Sequence, residues 1–221
     1  MSLEHVRYQR AKNYIQACTN GPLTYLRTLK NASSFFYNSF TGSLRWWPIS
    51  WAEIQWHETH VFSHIQDPVE RRHKGILEYL LITNCEDLLL DTKFQRLIKH
   101  VPCMDEHTVS LFEMYGSWCH SIDWIPLYPD HAMTTALTEK LLKVYGQRLF
   151  PWDHAEARPA SDNMRELCQL LRDIWIDADQ GYLPGHTKAY LSRDLDLYDK
   201  VMSKFNPHGD QWSNCSWLRQ E

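Results

Sequence analysis

Glycine is scarce in this chain, with 8 among 221 residues. Its scarcity leaves few positions for tight hairpins and for loops that bring backbone close to phosphate. The sequence also contains no Gly-x-Gly-x-x-Gly fingerprint, no P-loop and no Gly-x-Ser-x-Gly nucleophile elbow. The common sequence signatures of dinucleotide binding, nucleoside triphosphate hydrolysis and α/β-hydrolase chemistry are therefore missing.

The cysteines form no recognisable framework. None of the six belongs to a Cys-x-x-Cys pair, so the pattern signals neither a zinc ribbon nor a small disulfide scaffold. We interpret them as reduced, buried thiols. They are Cys18, Cys85, Cys103, Cys119, Cys168 and Cys215.

Long apolar runs are missing too. The first ten residues have no apolar segment, and the most apolar stretch, 76–90, is interrupted by Glu78, Glu86 and Asp87. We therefore predict neither a signal peptide nor a membrane span, and we expect a cytoplasmic, reducing location.

The apolar residues that are present recur three and four positions apart, in segments separated by prolines. They predict a mainly α, multi-helix globular domain, with two closely packed helical subdomains as the alternative. We assign 1–221 to one helical domain. A boundary is placed near 116–130, and 205–221 is expected to be an irregular tail.

The helix predictions follow this spacing. The sequence Asp67-Pro68-Val69-Glu70 is typical of a helix start, because it combines a capping carboxylate, proline at the first position and an acid in the first turn. The predicted helices cover about 3–18, 50–65, 68–90, 105–115, a segment after Asp130 that includes Leu137 to Tyr145, 162–177 and 187–204.

Charge is divided unevenly along the chain. Residues 1–52 carry six basic residues and one acid, a net +5, which leaves −9 for the remainder. Such a division indicates either a basic surface for an acidic partner or attraction between the two parts of the chain.

Aromatic residues are dense in the same basic segment. Aromatic rings stack on unpaired bases and basic side chains contact phosphates, so the combination favours nucleic-acid binding. We therefore expect a non-enzymatic subunit of a larger assembly that touches nucleic acid or an acidic protein surface, with other protein subunits as partners. A purely protein-binding adaptor is a further alternative. The expected contact residues are Arg7, Arg10, Lys12, Arg27, Lys30, Phe35, Phe36, Arg45, Trp46, Trp47, Arg71, Arg72 and Lys74.

A row of histidines supports a different hypothesis. On the predicted helix 50–65, Glu53, His57, His60 and His64 would share one narrow stripe. His57 and His64 would lie about 10.5 Å apart along the axis, so at most an adjacent pair could chelate one ion. A metal-dependent enzyme or metal-stabilised fold is thus the alternative function. We expect no cofactor, with a transition metal as the alternative.

Overall fold

A five-stranded mixed β-sheet forms the centre of the computed structural model, which describes residues 16–28, 33–42, 45–100, 103–104, 107–128, 131–149, 166–167, 170, 173 and 185–205. The strands are β1 (Gln16–Asn20), β2 (Leu23–Arg27), β3 (Trp47–Ser50), β4 (His60–Ile65) and β5 (Asp123–Pro126). The helices are α1 (Ser33–Thr41), α2 (Pro68–Ile82), α3 (Thr92–His100), α4 (Leu111–Tyr115), α5 (His131–Val144) and α6 (Gly185–Lys204). Short 3₁₀ turns span Trp51–Glu53, Glu86–Leu90 and Gly116–His120.

The prediction of a mainly α fold is wrong, because the sheet makes this an α/β protein. The clearest error is the predicted helix 50–65, where the structure has a 3₁₀ turn and then β4. Residues 61–65 of β4 are buried consecutively. A strand covered on both faces shows no alternation of apolar and polar residues, so its apolar run resembles that of a buried helix.

Several predicted helices are confirmed. Helix α2 begins at Pro68, and the Asp67 side chain accepts from the N–H groups of Val69 and Glu70 as expected for a cap. Helices α5 and α6 occupy the segments predicted after Asp130 and at 187–204. Helix α2 ends at Ile82 rather than near 90.

The other helix predictions are wrong in part or lie outside the described residues. Of predicted helix 105–115, only α4 is helical among the described residues, and residues 16–18 of predicted helix 3–18 lie in strand β1. Residues 3–15, most of 162–177 and the tail beyond Phe205 lie outside the described residues. None of the described helices is long and apolar enough to cross a membrane.

The sheet order is β3-β1-β2-β4-β5. Strands β1 and β2 form an antiparallel hairpin around Gly21, whose φ of +56° favours glycine. Strand β3 pairs antiparallel to β1, whereas β2, β4 and β5 run parallel. Strand β4 is thus an interior strand with parallel neighbours on both sides.

Helices cover both faces of β4. On one face, which we call the His64 face, Phe36 of α1 stacks on His64 with ring centroids 3.7 Å apart, and Thr138 of α5 bonds the same imidazole. On the opposite Ser63 face, the Trp124 indole donates to the carbonyl of Cys119, which follows α4. The result is a layer of sheet between two layers of helices.

A chain of hydroxyl groups joins the Ser63 face to α4. Ser63 donates its hydroxyl proton to the carbonyl of Leu26 at 2.7 Å, so its oxygen accepts from Thr28 at 2.8 Å. Thr28 in turn accepts from the Tyr115 hydroxyl at 2.8 Å. Each hydroxyl has one proton, so a single direction of donation satisfies the whole buried chain.

A second apolar cluster lies outside the sandwich. It is built by α2, the 3₁₀ turn 86–90 and α3, from Ile76, Leu77, Leu80, Leu89 and Ile98. These helices pack on one another rather than on the sheet.

Buried charges link α2, α4 and α6. Arg71 of α2 donates to the carbonyl of Val109 at 2.6 Å, and Asp194 of α6 accepts from the N–H groups of Leu111 and Phe112. Burial raises the pKa of Asp194, while the charge of Arg71 and the two N–H groups act in the opposite direction. Asp194 therefore satisfies the first turn of α4 from a distant helix.

Gly75 is expected to be irreplaceable in α2. A Cβ at this position would lie 2.5 Å from the carbonyl oxygen of His107, a backbone atom that cannot rotate away. Alanine favours a helix interior by about 1 kcal/mol over glycine, but forced overpacking costs roughly 1–3 kcal/mol. We expect Gly75→Ala to lower the free energy of unfolding, as measured by urea denaturation.

Gly185→Ala is the matched control, because among the described residues no atom outside its own neighbours and helix backbone lies within 4 Å of the added Cβ. Its free energy of unfolding should stay within about 0.5 kcal/mol of wild type. Equal stability of Gly75→Ala and wild type would contradict the close approach of α2 to residue 107.

Candidate functional site

Trp46 and Trp47 are neighbours in sequence, but their surroundings differ. Trp46 is buried with its ring centroid 4.6 Å from that of Phe40, whereas 69% of Trp47 is exposed. Arg45 is exposed as well. Trp46 therefore anchors the start of β3 in the core, and Arg45 and Trp47 together form a surface that we call the Trp47 surface.

The backbone of β3 is protected against the addition of another strand. Strand β3 is at one end of the sheet order, but Pro48 has no N–H, and the N–H of Ser50 donates to the Glu53 carboxylate at 2.6 Å. This bond and a second from the Ser50 hydroxyl lower the pKa of Glu53. Because the edge has few free donors, partners would contact β3 through side chains.

Arg27 lies near the other end of the same strands. Its guanidinium donates to Gln16 and lies over the ring of Tyr37 at 5.2 Å. Gln16 pairs with Ser50, whereas Trp47 pairs with Thr19 three residues further along β1. Arg27 is thus about 10 Å from the Trp47 surface along the strands, at 3.3–3.4 Å per residue.

The basic cluster on α2 is mostly interior. Arg71 and Arg72 are buried, and they donate to the carbonyls of Val109 and Ile98. Burial lowers the pKa of Arg72 to about 10. Lys74 is the exposed member, and it donates to Gln66. The two arginines therefore hold the segments before and after residues 103–104 instead of presenting charge to solvent.

His64 is a buried, neutral imidazole. Thr138 donates its proton to the carbonyl of Thr134, so its oxygen accepts from His64 Nε2 at 2.9 Å. His64 Nδ1 is then the acceptor and faces the Tyr25 hydroxyl at 3.4 Å. Burial lowers the pKa of His64 to about 3. Phe36, predicted to contact nucleic acid, covers the ring of His64 in the core.

The remaining predicted metal ligands are dispersed. Glu53 is bonded to Ser50, His57 is exposed in the turn before β4, and His60 lies 2.7 Å from a carboxylate oxygen of Asp123. The predicted stripe required a helix, and these residues belong to a 3₁₀ turn, a loop and a strand. Within the described ranges, no group of three or more His, Cys, Asp or Glu side chains could hold a metal ion.

Five predicted contact residues have no described side chain. Arg7, Arg10, Lys12 and Lys30 lie outside the described residues, and only the backbone of Phe35 is described, in α1. Their roles remain predictions.

Sequence reasoning missed a ladder of aromatic rings. Tyr115 stacks on Trp51, Trp51 meets Trp56 edge to face, and Trp56 stacks on Trp118 with centroids 4.6 Å apart. The rings cover one another, so they pack the 3₁₀ turns 51–53 and 116–120 together. More than 60 residues separate these turns in the chain, and no local pattern links them.

The fold and these side chains define an α/β protein with an exposed tryptophan–arginine surface at one edge of its sheet. Comparisons with protein-family models, with curated proteins and with solved structures find no match to this chain. Function is therefore inferred from its own residues.

The low pKa of His64 predicts loss of stability in acid. The folded chain keeps this imidazole neutral down to about pH 3, whereas the unfolded chain protonates it below about 6.5. Protons therefore favour the unfolded state, and His64 should contribute a loss of about 2 kcal/mol between pH 7 and pH 5.

Urea denaturation across this range tests the effect. His64→Gln should show a shallower loss of stability with falling pH, because glutamine does not titrate, although its stability at pH 7 falls. His120→Gln, at an exposed position, is the control and should keep the wild-type pH dependence. An unchanged slope in His64→Gln would show that His64 is not buried as a neutral ring.

Proposed function

We propose that the chain is a non-enzymatic subunit of a larger assembly, and that it contacts single-stranded nucleic acid through the Trp47 surface. The main support is that 69% of Trp47 is exposed, with exposed Arg45 two residues before it. Trp47 begins a strand that the core holds in place. An exposed tryptophan offers a flat face for a base, and the neighbouring guanidinium offers a charge for a phosphate.

The surroundings of Trp47 support side-chain contact. Trp46 anchors the start of β3, so Trp47 is presented from a rigid strand rather than a free loop. Pro48 and the Ser50–Glu53 bond disfavour strand addition, the principal backbone mode of binding at a sheet edge. The net charge of +5 over residues 1–52 belongs to the same part of the sequence and attracts polyanions.

Fewer of the predicted contact residues lie at the surface than the sequence indicated. Phe36, Trp46, Arg71 and Arg72 are buried and serve the core. The predicted contact residues that the structure describes at the surface are Arg45 and Trp47 at β3 and Lys74 on α2, and Arg27 at the end of β2 is half-buried.

Fluorescence anisotropy with a labelled single-stranded oligonucleotide, measured over a salt series, tests the proposal. Stacking of one base is worth about 1–3 kcal/mol, so Trp47→Ala should weaken binding roughly 5- to 160-fold. Arg45→Ala should make the slope of log affinity against log salt shallower by about 0.7, the value for one phosphate contact on a single strand.

Leu90→Ala is the matched control for Trp47→Ala, because Leu90 is 70% exposed and lies on the 3₁₀ turn after α2. It should bind like wild type. Equal affinity of Trp47→Ala and wild type, or no binding of any oligonucleotide at low salt, would contradict the proposal. The second result would turn attention to an acidic protein as the partner of this surface.

A further inference from the structure

The parallel strands end together at one edge of the sheet. Strands β2, β4 and β5 finish at Arg27, Ile65 and Pro126, and we call this the carboxyl edge. The chain leaves β2 toward β3 on one side of the sheet and leaves β4 toward β5 on the other. In open α/β sheets, ligands bind outside the carboxyl ends of the strands where the direction of winding reverses.

Two helices place their first turns beside the end of β4. Phe36, in the first turn of α1, stacks on His64, one residue before the end of the strand. Thr134, in the first turn of α5, donates to the carbonyl of Pro126 at 3.1 Å. The first N–H groups of a helix have no partner within it, so helix N-termini favour anions.

Gln66 directly follows β4 and is buried, with 4% of its surface exposed. Its Oε1 accepts from Lys74 Nζ at 3.0 Å, and this fixes the orientation of the amide because an ammonium group can only donate. Among the residues that the structure describes, Gln66 Nε2 meets no acceptor. A buried donor of this kind requires an acceptor from elsewhere.

Alternation along β4 directs this donor toward the two helix starts. His64 and Gln66 are two residues apart, so they project to the same face of the sheet. That face is the one covered by α1 and α5. Gln66 is one residue beyond the end of β4, and this alternation is our basis for placing its amide near their first turns.

We propose that the carboxyl edge binds a phosphate group of a small molecule, with Gln66 Nε2 and Lys74 Nζ as side-chain donors between the first turns of α1 and α5. Phosphate suits the site better than carboxylate, because it carries more charge and more acceptor oxygens for donors that converge from several elements. Asp67 does not compete at this position, since its carboxylate accepts from the first N–H groups of α2. The site is separate from the Trp47 surface and does not rest on the proposed function.

Thermal unfolding of the full chain tests the site, with inorganic phosphate compared against chloride and acetate at equal ionic strength and pH. A ligand that binds only the folded state raises the midpoint. We expect phosphate to raise it beyond either reference salt. No extra rise with phosphate, or an equal rise with acetate, would overturn the proposal.

Two variants locate the binding. Gln66→Glu keeps the shape and the acceptor for Lys74 but replaces the donor with an oxygen that repels phosphate, so the phosphate-dependent rise should vanish. Lys74→Gln changes an exposed side chain and should weaken phosphate binding about tenfold, the loss expected for one charged hydrogen bond. If Gln66→Glu fails to fold, Lys74→Gln alone decides whether phosphate binds at the carboxyl edge.

Lys93→Gln is the matched control for Lys74→Gln, because Lys93 is an exposed lysine on α3. It should keep the full response to phosphate, as should Trp47→Ala. A rise that persists unchanged in both Gln66→Glu and Lys74→Gln would place the phosphate elsewhere and overturn the assignment.

Discussion

Burial of β4 on both faces is the constraint on which the rest of this structure depends. Its neighbours are parallel strands, and helices cover it from both sides, so residues 61–65 are all buried. The strand nevertheless carries two polar side chains, Ser63 and His64. A buried polar group without a partner costs roughly 1–3 kcal/mol, so the covering helices must supply partners for both.

The partners come from distant parts of the chain. Thr138 and Phe36 hold His64 from α5 and α1, while Thr28 and Tyr115 complete the hydroxyl chain from Ser63. These contacts fix both helices of the His64 face against one strand. The same arrangement places the first turns of both helices beside the ends of β4 and β5, where the proposed phosphate site lies.

The helices outside the sandwich depend on buried charge instead. Arg71 and Arg72 connect α2 to segments that follow it, Asp194 connects α6 to α4, and each bonds backbone groups. Basic residues that are common at nucleic-acid interfaces thus serve folding here. Exposed Trp47 on β3 and exposed Arg45 just before the strand form the surface whose chemistry suits an external polyanion.

The sequence predicted the helices that carry local signals and missed the sheet. Asp67 and Pro68 indicate the start of α2, and the three- and four-residue spacing of apolar residues in α5 and α6 is a local signal as well. Residues 61–65 of β4 are all buried and β3 has four residues, so neither strand shows alternation. The charge and aromatic content directed attention to Trp47, but burial of Trp46 and Arg71 depends on contacts that the sequence does not reveal.

Photo-crosslinking of the full chain to a single-stranded oligonucleotide, with the attachment site mapped by peptide mass spectrometry, tests the central functional claim most directly. A base stacked on an exposed ring lies within bonding distance of it. We expect attachment at Trp47. Attachment confined to the tryptophans of the aromatic ladder, Trp51, Trp56 and Trp118, or no attachment at all, would contradict it.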